Sequence, residues 1–256
     1  MNIKKKLVYT IFTTPFCYLT FNAYRWQSRR KLEKIEEIAI RDKRLKEDGL
    51  QLNEKILKEF KMRDELEFKP VSLRGYFSDD YVLVNRTREA EPGFHVVSPF
   101  YCYKDDSGVY RAVLVDRGWI PYTYKEKFLS KNNKDKNLSV VKGVIYKGDS
   151  KNKYTLSNTD TNEAKEKLIS MNPEEISCLL KLENKDITSQ FVVKEVDFDF
   201  LDKNKGQNNL HYPIKVSYTD LMVWYVTPKK HQDYANFWIT VTVMNIISNL
   251  FVWMYL

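Results

Sequence analysis

NFWITVTVMNIISNLFVWMYL, residues Asn236 to Leu256, contains no acidic side chain. It runs for about the 20 residues that a helix needs to cross a hydrocarbon core. A comparable stretch, LVYTIFTTPFCYLTFNAYRW, spans Leu7 to Trp26 and also lacks acidic residues. Between the two the chain is charged and strand-rich. The pattern predicts a transmembrane helix near each terminus, with both termini on one side of the bilayer. A domain tethered twice is placed to act on something in or at that membrane.

MNIKKK followed by an apolar run fits the first two parts of a secretory signal, yet no small-residue cleavage site follows. The run closes instead on Tyr24-Arg25-Trp26, an aromatic and basic edge of the kind that seats a helix at the membrane interface. An uncleaved anchor is therefore expected. Lys4, Lys5 and Lys6 precede this span, while Arg25, Arg29, Arg30 and Lys31 follow it, so charge alone does not choose the side.

The 256 residues, less the two spans, leave roughly 200 for one soluble domain with its own core. A net charge of +8 does not point to nucleic acid, because Lys and Arg are spread through loops and helix faces without a binding motif. An anionic bilayer or an acidic protein is the simpler counterpart. Cys17, Cys102 and Cys178 have no metal-ligand spacing, and their redox state stays open.

Gln27 to Glu47 carries Leu32, Ile35, Ile38 and Leu45 at helical spacing among dense charges, which predicts an amphipathic helix continuing out of the membrane and stopped by Asp48-Gly49. A short helix is expected over Asn53 to Lys61, with Asn53 as its N-cap. From Phe68 the period falls to two. Lys69–Phe77, Tyr81–Arg86, His95–Tyr103, Val109–Val115, Leu138–Tyr146, Ser189–Phe200 and Tyr212–Val216 read as short strands. Turn clusters at Ser78-Asp79-Asp80, Glu91-Pro92-Gly93 and Lys104 to Gly108 separate the first four. Lys125–Asn137, Lys147–Glu163 and Asp202–Asn209 are polar inserts with almost nothing to bury, and Ala164–Leu182 reads as a helical piece, with Asn172-Pro173-Glu174-Glu175 starting the part that runs through Cys178.

These elements give an α+β membrane protein: one transmembrane helix at each terminus bracketing a mostly antiparallel, curved sheet or partial barrel with flanking helices. The segments are a basic tail (1–6), the first span (7–26), a helical connector (27–67), a β-rich domain (68–230), and an interface segment with the second span (231–256).

No phosphate loop, nucleophile elbow, CxxC or HExxH is present, so no catalytic residue, metal site or enzymatic activity is expected. His211 reads as ordinary and His95 as a structural strand histidine. His231, five residues before the second span, has two readings: an interfacial polar residue, or a ligand for haem iron. In Val113-Leu114-Val115-Asp116-Arg117-Gly118-Trp119-Ile120-Pro121 a buried strand runs into a charged pair and a Gly. Arg117 and Trp119 there either pack the sheet end or form a partner-binding edge. Thr242, Asn245 and Asn249 share one face of the second span, and Thr10, Thr13, Thr14 and Cys17 cluster on the first. Such polar groups bind either each other or a larger helix bundle.

Several of these segments together resemble the surfeit locus protein 1 family of membrane-anchored cytochrome c oxidase assembly factors. Trp26-Gln27 with Arg30 is similar to its WQxxR element, and Phe68-Lys69-Pro70-Val71 through Arg74-Gly75-Tyr76-Phe77 to its (Y/F)RPVxxxGxF strand. Gly93 to Pro99 resembles GxxVxTPF, and Val113 to Pro121 resembles LVNRGWVP with Asp116 in the Asn position. Val141 to Val144 resembles the VxGxxR strand, and Thr227 to His231 with Tyr234, Ala235 and Trp238 the closing NxHxxYxxTW element. The family's NxPxxNxW region is poorly kept: Asn158 stands for its first Asn, and no Trp follows until Trp224.

The resemblance implies a multi-pass protein of the mitochondrial inner membrane, or of the bacterial plasma membrane. The β-rich domain would then face the intermembrane space or periplasm. It implies support of haem a insertion, or stabilisation of the haem-bearing catalytic subunit, during oxidase assembly, with His231 at the position of the proposed haem a ligand. Trp26, Gln27, Arg30, Arg117, Trp119, Thr242, Asn245 and Asn249 are the expected partner-binding residues, the partners being oxidase subunits and the lipid bilayer. The alternative, from another class, is a permanent accessory subunit of the oxidase or of a respiratory supercomplex.

Overall fold

The computed structural model describes residues 2–104, 108–132, 138–149, 168–198 and 211–255. Asn158 and most of the inserts after Lys147 and Asp202 lie outside these residues. The chain divides into two compact units, Met1–Asp42 with Met222–Leu256, and Lys43–Leu221.

In the second unit, eight strands follow in chain order among the described residues: β1 (Leu50–Gln51), β2 (Pro70–Phe77), β3 (Val82–Arg88), β4 (Glu91–Lys104), β5 (Tyr110–Pro121), β6 (Ser139–Tyr146), β7 (Val192–Asp197) and β8 (Val216–Ser217). Strands β2, β6, β7, β5 and β4 pair in that order, and β4 returns to β2 through Tyr76↔Tyr101 and Phe77↔Phe100. The five therefore close into a ring, which removes the open edges of a flat sheet. Only β5–β7 is parallel in that ring; β1, β3 and β8 are appended to β2, β4 and β7.

Alternation along β5 shows how the sequence builds two cores. Val113 and Val115 join Leu73, Phe100, Val141 and Phe191 in one buried cluster. Leu114 joins Val82, Val84, Val97 and Ile176 in another. One residue of register shift would exchange these faces. The short helices are α2 (Glu54–Lys58), α3 (Lys125–Asn132), α4 (Pro173–Leu179), α5 (Lys185–Thr188) and α6 (Tyr218–Leu221). Asn53 caps α2 by accepting from the Ile56 N–H, and Asn172 caps α4 by accepting from the Glu174 and Glu175 N–H groups.

Three local expectations change. The turn expected at Glu91-Pro92-Gly93 sits at Glu89-Ala90, whose φ angles of 50° and 68° suit a two-residue hairpin turn. Gly93 instead lies in β4 beneath Trp119; an added Cβ would meet the indole at 2.5 Å and the Ile120 carbonyl at 2.3 Å. The start of the first polar insert forms α3, and Phe128 there is buried against Leu83, Phe94 and Ile120. Ala164–Leu182 is helical only at Pro173–Leu179 among the described residues, while Leu168 bridges to Val84.

The first unit is a helix pair. Helix α1 (Ile3–Leu45) is continuous, so the first expected span and its connector helix form one rod. Lys43 and Arg44 in its last turn suit the negative end of the helix dipole. Helix α7 (Pro228–Tyr255) opens on Thr227, whose hydroxyl accepts from the Lys230 N–H, with Pro228 at the first helical position. Among the described residues α7 is the one helix both long and apolar enough to cross a membrane. The Leu7–Trp26 stretch is diluted by Thr10, Thr13, Thr14, Pro15, Thr20 and Asn22.

Candidate functional site

Helices α1 and α7 are joined along their length by side-chain hydrogen bonds. Lys6 Nζ donates to the Trp253 carbonyl at 3.2 Å, and Trp253 Nε1 donates to Thr10 Oγ1 at 2.9 Å. The Tyr9 and Ser248 hydroxyls meet at 2.6 Å, and Thr13 Oγ1 donates to Asn249 Oδ1 at 2.8 Å. Buried Thr242 donates to buried Thr20 at 2.8 Å, and Lys31 Nζ donates to Gln232 Oε1 at 2.8 Å. Asn245 supports this seam from within α7, its carbonyl and Oδ1 accepting from Asn249 Nδ2. The seam positions Lys6, Thr13, Thr20 and Gln27 recur every seven residues, the spacing that keeps one helix face against an antiparallel neighbour. Thr13, Thr242 and Asn249 thus face the companion helix.

His231 lies on this seam, one turn into α7, and is 6% exposed. Its Nδ1 stands 2.7 Å from Gln27 Oε1. A carbonyl oxygen only accepts, so Nδ1 carries the proton and Nε2 presents its lone pair. Nε2 is buried and has no hydrogen-bond partner among the described residues. The His231 side chain is one of those lining a pocket of about 350 Å³, with Trp26, Arg30, Lys34, Trp224, Tyr225 and Val226. Arg30 pairs with Glu33 and Lys34 with Glu37, each at 2.5 Å. Trp26 is half exposed, whereas Trp224 lies under two cations. A histidine whose distal nitrogen is fixed by a hydrogen bond, and whose other nitrogen is desolvated and free, is chemically equipped to take a metal or an N–H donor.

The β unit places its own expected residues differently. Trp119 is 3% exposed; its indole donates to the Arg86 carbonyl at 2.9 Å, and its backbone exchanges hydrogen bonds with Ile214. Arg117 lies over the Phe77 and Phe128 rings, at 4.4 and 5.5 Å. Burial pulls its guanidinium down, and Glu195 opposes the shift. These are the contacts of a packed sheet end, and a partner-binding role for Arg117 and Trp119 would have to use this same surface. Gly118 between them has φ +117°, and a Cβ there would meet the Ile214 carbonyl at 2.2 Å.

Asp116 is fully buried beside His95, with Nδ1 at 2.8 and 2.9 Å from its two oxygens, and accepts from the Gly118 N–H at 3.1 Å. Burial alone would raise this carboxyl; His95, Lys194 and the Gly118 N–H together hold it below the usual carboxylate range. Asp149 behaves likewise. Burial is outweighed by donation from the Tyr146 hydroxyl, the Met171 N–H and Arg86. Cys17, Cys102 and Cys178 are free thiols, and burial pushes Cys102 up to about 12. Among the described residues no group of three or more His, Cys, Asp or Glu side chains converges as a metal site.

Comparison with known proteins places this geometry in a lineage. A family model described as the SURF1 family matches residues 16–243, from within α1 to just past the middle of α7. The chain belongs to the SURF1 family. It is similar to Surfeit locus protein 1 of Arabidopsis thaliana, 31% identical over 116 residues, covering 43% of this chain and 32% of that one. It is also similar to Surfeit locus protein 1 of Gallus gallus, 34% identical over 125 residues, covering 42% of this chain and 36% of the relative. The Mus musculus protein of that name is 34% identical over 117 residues, covering 40% and 36%. The chain thus spans about a third of the length of the curated relatives it matches.

Within this SURF1 family chain, Trp26, Gln27, Arg30 and His231 come together although some 200 residues separate the two segments. Trp224 and Lys34 were not among the expected site residues. Trp224 precedes the Thr227-Pro228 helix start by three residues, and only the closure of α7 onto α1 brings it to the pocket.

Proposed function

We propose that this chain is a membrane-anchored assembly factor of cytochrome c oxidase that holds haem a transiently or steadies the haem-bearing catalytic subunit. It does so without catalysing a bond change. Its membership of the SURF1 family supports the assembly role. The observation that carries the haem reading is His231 Nε2: buried, without a partner among the described residues, and given its lone pair by Gln27. The residues present fit the group. His231 would hold the iron, Gln27 would fix the imidazole tautomer, and Arg30 and Lys34 would stand near the ring's carboxylates. Haem a, when bound, would supply an iron that an imidazole nitrogen can ligate.

In this reading α1 crosses the bilayer alongside α7. The hydrogen-bonded seam from Lys6 to Lys31 matches α7 from Trp253 back to Gln232, and leaves Ile11, Phe12, Leu19, Met244, Ile247, Leu250 and Phe251 exposed for lipid. The membrane is the mitochondrial inner membrane or a bacterial plasma membrane, with the β unit on the intermembrane-space or periplasmic side. Trp26, Arg30, Arg117 and Trp119 remain candidates for contact with oxidase subunits. The test is the haem absorbance band of the purified full-length protein. His231→Ala is expected to abolish it, and an unchanged band would rule the ligand assignment out.

A further inference from the structure

Two buried polar atoms among the residues lining the His231 pocket have no hydrogen-bond partner among the described residues: His231 Nε2 and Trp224 Nε1. They are opposite in kind. The imidazole nitrogen offers a lone pair, whereas an indole nitrogen only donates. A ligand that satisfied Nε2 alone would leave the indole N–H desolvated and unpaired, so a well-matched ligand carries an acceptor as well.

The surroundings define that acceptor. Lys34 Nζ lies 4.5 Å and Arg41 Cζ 4.0 Å from the centre of the Trp224 ring, and Arg30 lines the same pocket. Residues 30, 34 and 41 are four and seven apart, which puts them on one face of α1. Glu33 and Glu37 already balance Arg30 and Lys34 on the helix surface. The buried N–H has no hydrogen-bond partner among the described residues, and an anionic oxygen is its strongest acceptor.

Resting on the haem reading above, we propose that the Trp224 N–H, with Lys34 beside it, receives a carboxylate of the ligand whose iron His231 takes. The pocket then selects a tetrapyrrole with free carboxylates over the same ring with esterified ones. Trp224 is a binding and selecting residue in this scheme, and its ring, held under two cations, is positioned before the ligand arrives.

The full-length chain in detergent is titrated with haemin and with haemin dimethyl ester, and binding is followed by Soret absorbance. The same titrations are run on Trp224→Phe, which keeps an aromatic ring under the cations but removes the donor. Charge-assisted hydrogen bonds are about twice as strong as neutral ones, so the unaltered chain is expected to bind haemin about tenfold more tightly than the ester. Trp224→Phe is expected to lose about tenfold for haemin and little for the ester, on the same grounds. Equal binding of haemin by Trp224→Phe, or equal losses for both ligands, would overturn the inference while leaving a His231-dependent band intact. Failure of the unaltered chain to bind either ring would overturn the haem reading and this inference with it.

Discussion

Asp116 stands where the family's pattern has asparagine, and β4 supplies His95 within 2.8 Å of it. A carboxylate taken out of water needs such a partner, because an unpaired buried charge costs several kcal/mol. Its pKa lies below the unfolded carboxylate value of about 3.9. The stabilisation it brings is therefore complete above that value and is lost as pH falls through the folded one. Asp149, held down in the same direction, loses its contribution over the same acid range. Unfolding free energy of the full chain is thus expected to drop as pH is lowered below about 4. Asp116→Asn is expected to cost about 1–3 kcal/mol at neutral pH and to flatten that acid slope, as denaturant titrations at several pH values would show. An unaltered slope would mean that the Asp116 carboxyl does not carry the acid dependence. His95 was legible as a structural histidine from its strand alone. Its partner was not, because the register shift between His95 and Val97 decides which residue of β5 lies opposite.

The two long helices carry the next lesson. Composition alone marked Thr10, Thr13 and Thr14 on one helix and Thr242, Asn245 and Asn249 on the other as polar faces in apolar surroundings. It left open whether they answer each other or a third helix. The seam answers for Thr13–Asn249 and Thr20–Thr242, which bond directly. Gln27–His231 extends the same register into the pocket, so the geometry that holds the helices together also sets the imidazole tautomer. Interhelical hydrogen bonds in membranes are worth about 0.6 kcal/mol on average. A double-mutant cycle of Thr13→Val and Asn249→Leu is expected to show a coupling of about that size in detergent unfolding. Strict additivity would mean that the two side chains do not bond in the folded pair. The strands were read from their period, whereas β5 ran on through Asp116 to Pro121. A charged pair and a Gly suggest a turn until the facing backbone of Ile214 is known.

At the scale of the molecule, the chain combines a five-stranded closed sheet with a helix pair that exposes many apolar side chains. The family and the apolar C-terminal helix were legible, because motif order and apolar runs are properties of sequence. The pocket was only half legible. His231, Gln27 and Arg30 stood in recognisable motifs, while Trp224 and Lys34 reach the site through tertiary closure alone. A transient role and a permanent one make different demands on stoichiometry, and that is where the central claim is most exposed. Mature, active cytochrome c oxidase from the source membrane, purified in mild detergent, should contain only traces of this chain relative to the catalytic subunit, with enrichment in immature intermediates. A one-to-one ratio in the mature enzyme would contradict the assembly-factor account and make the chain a structural subunit.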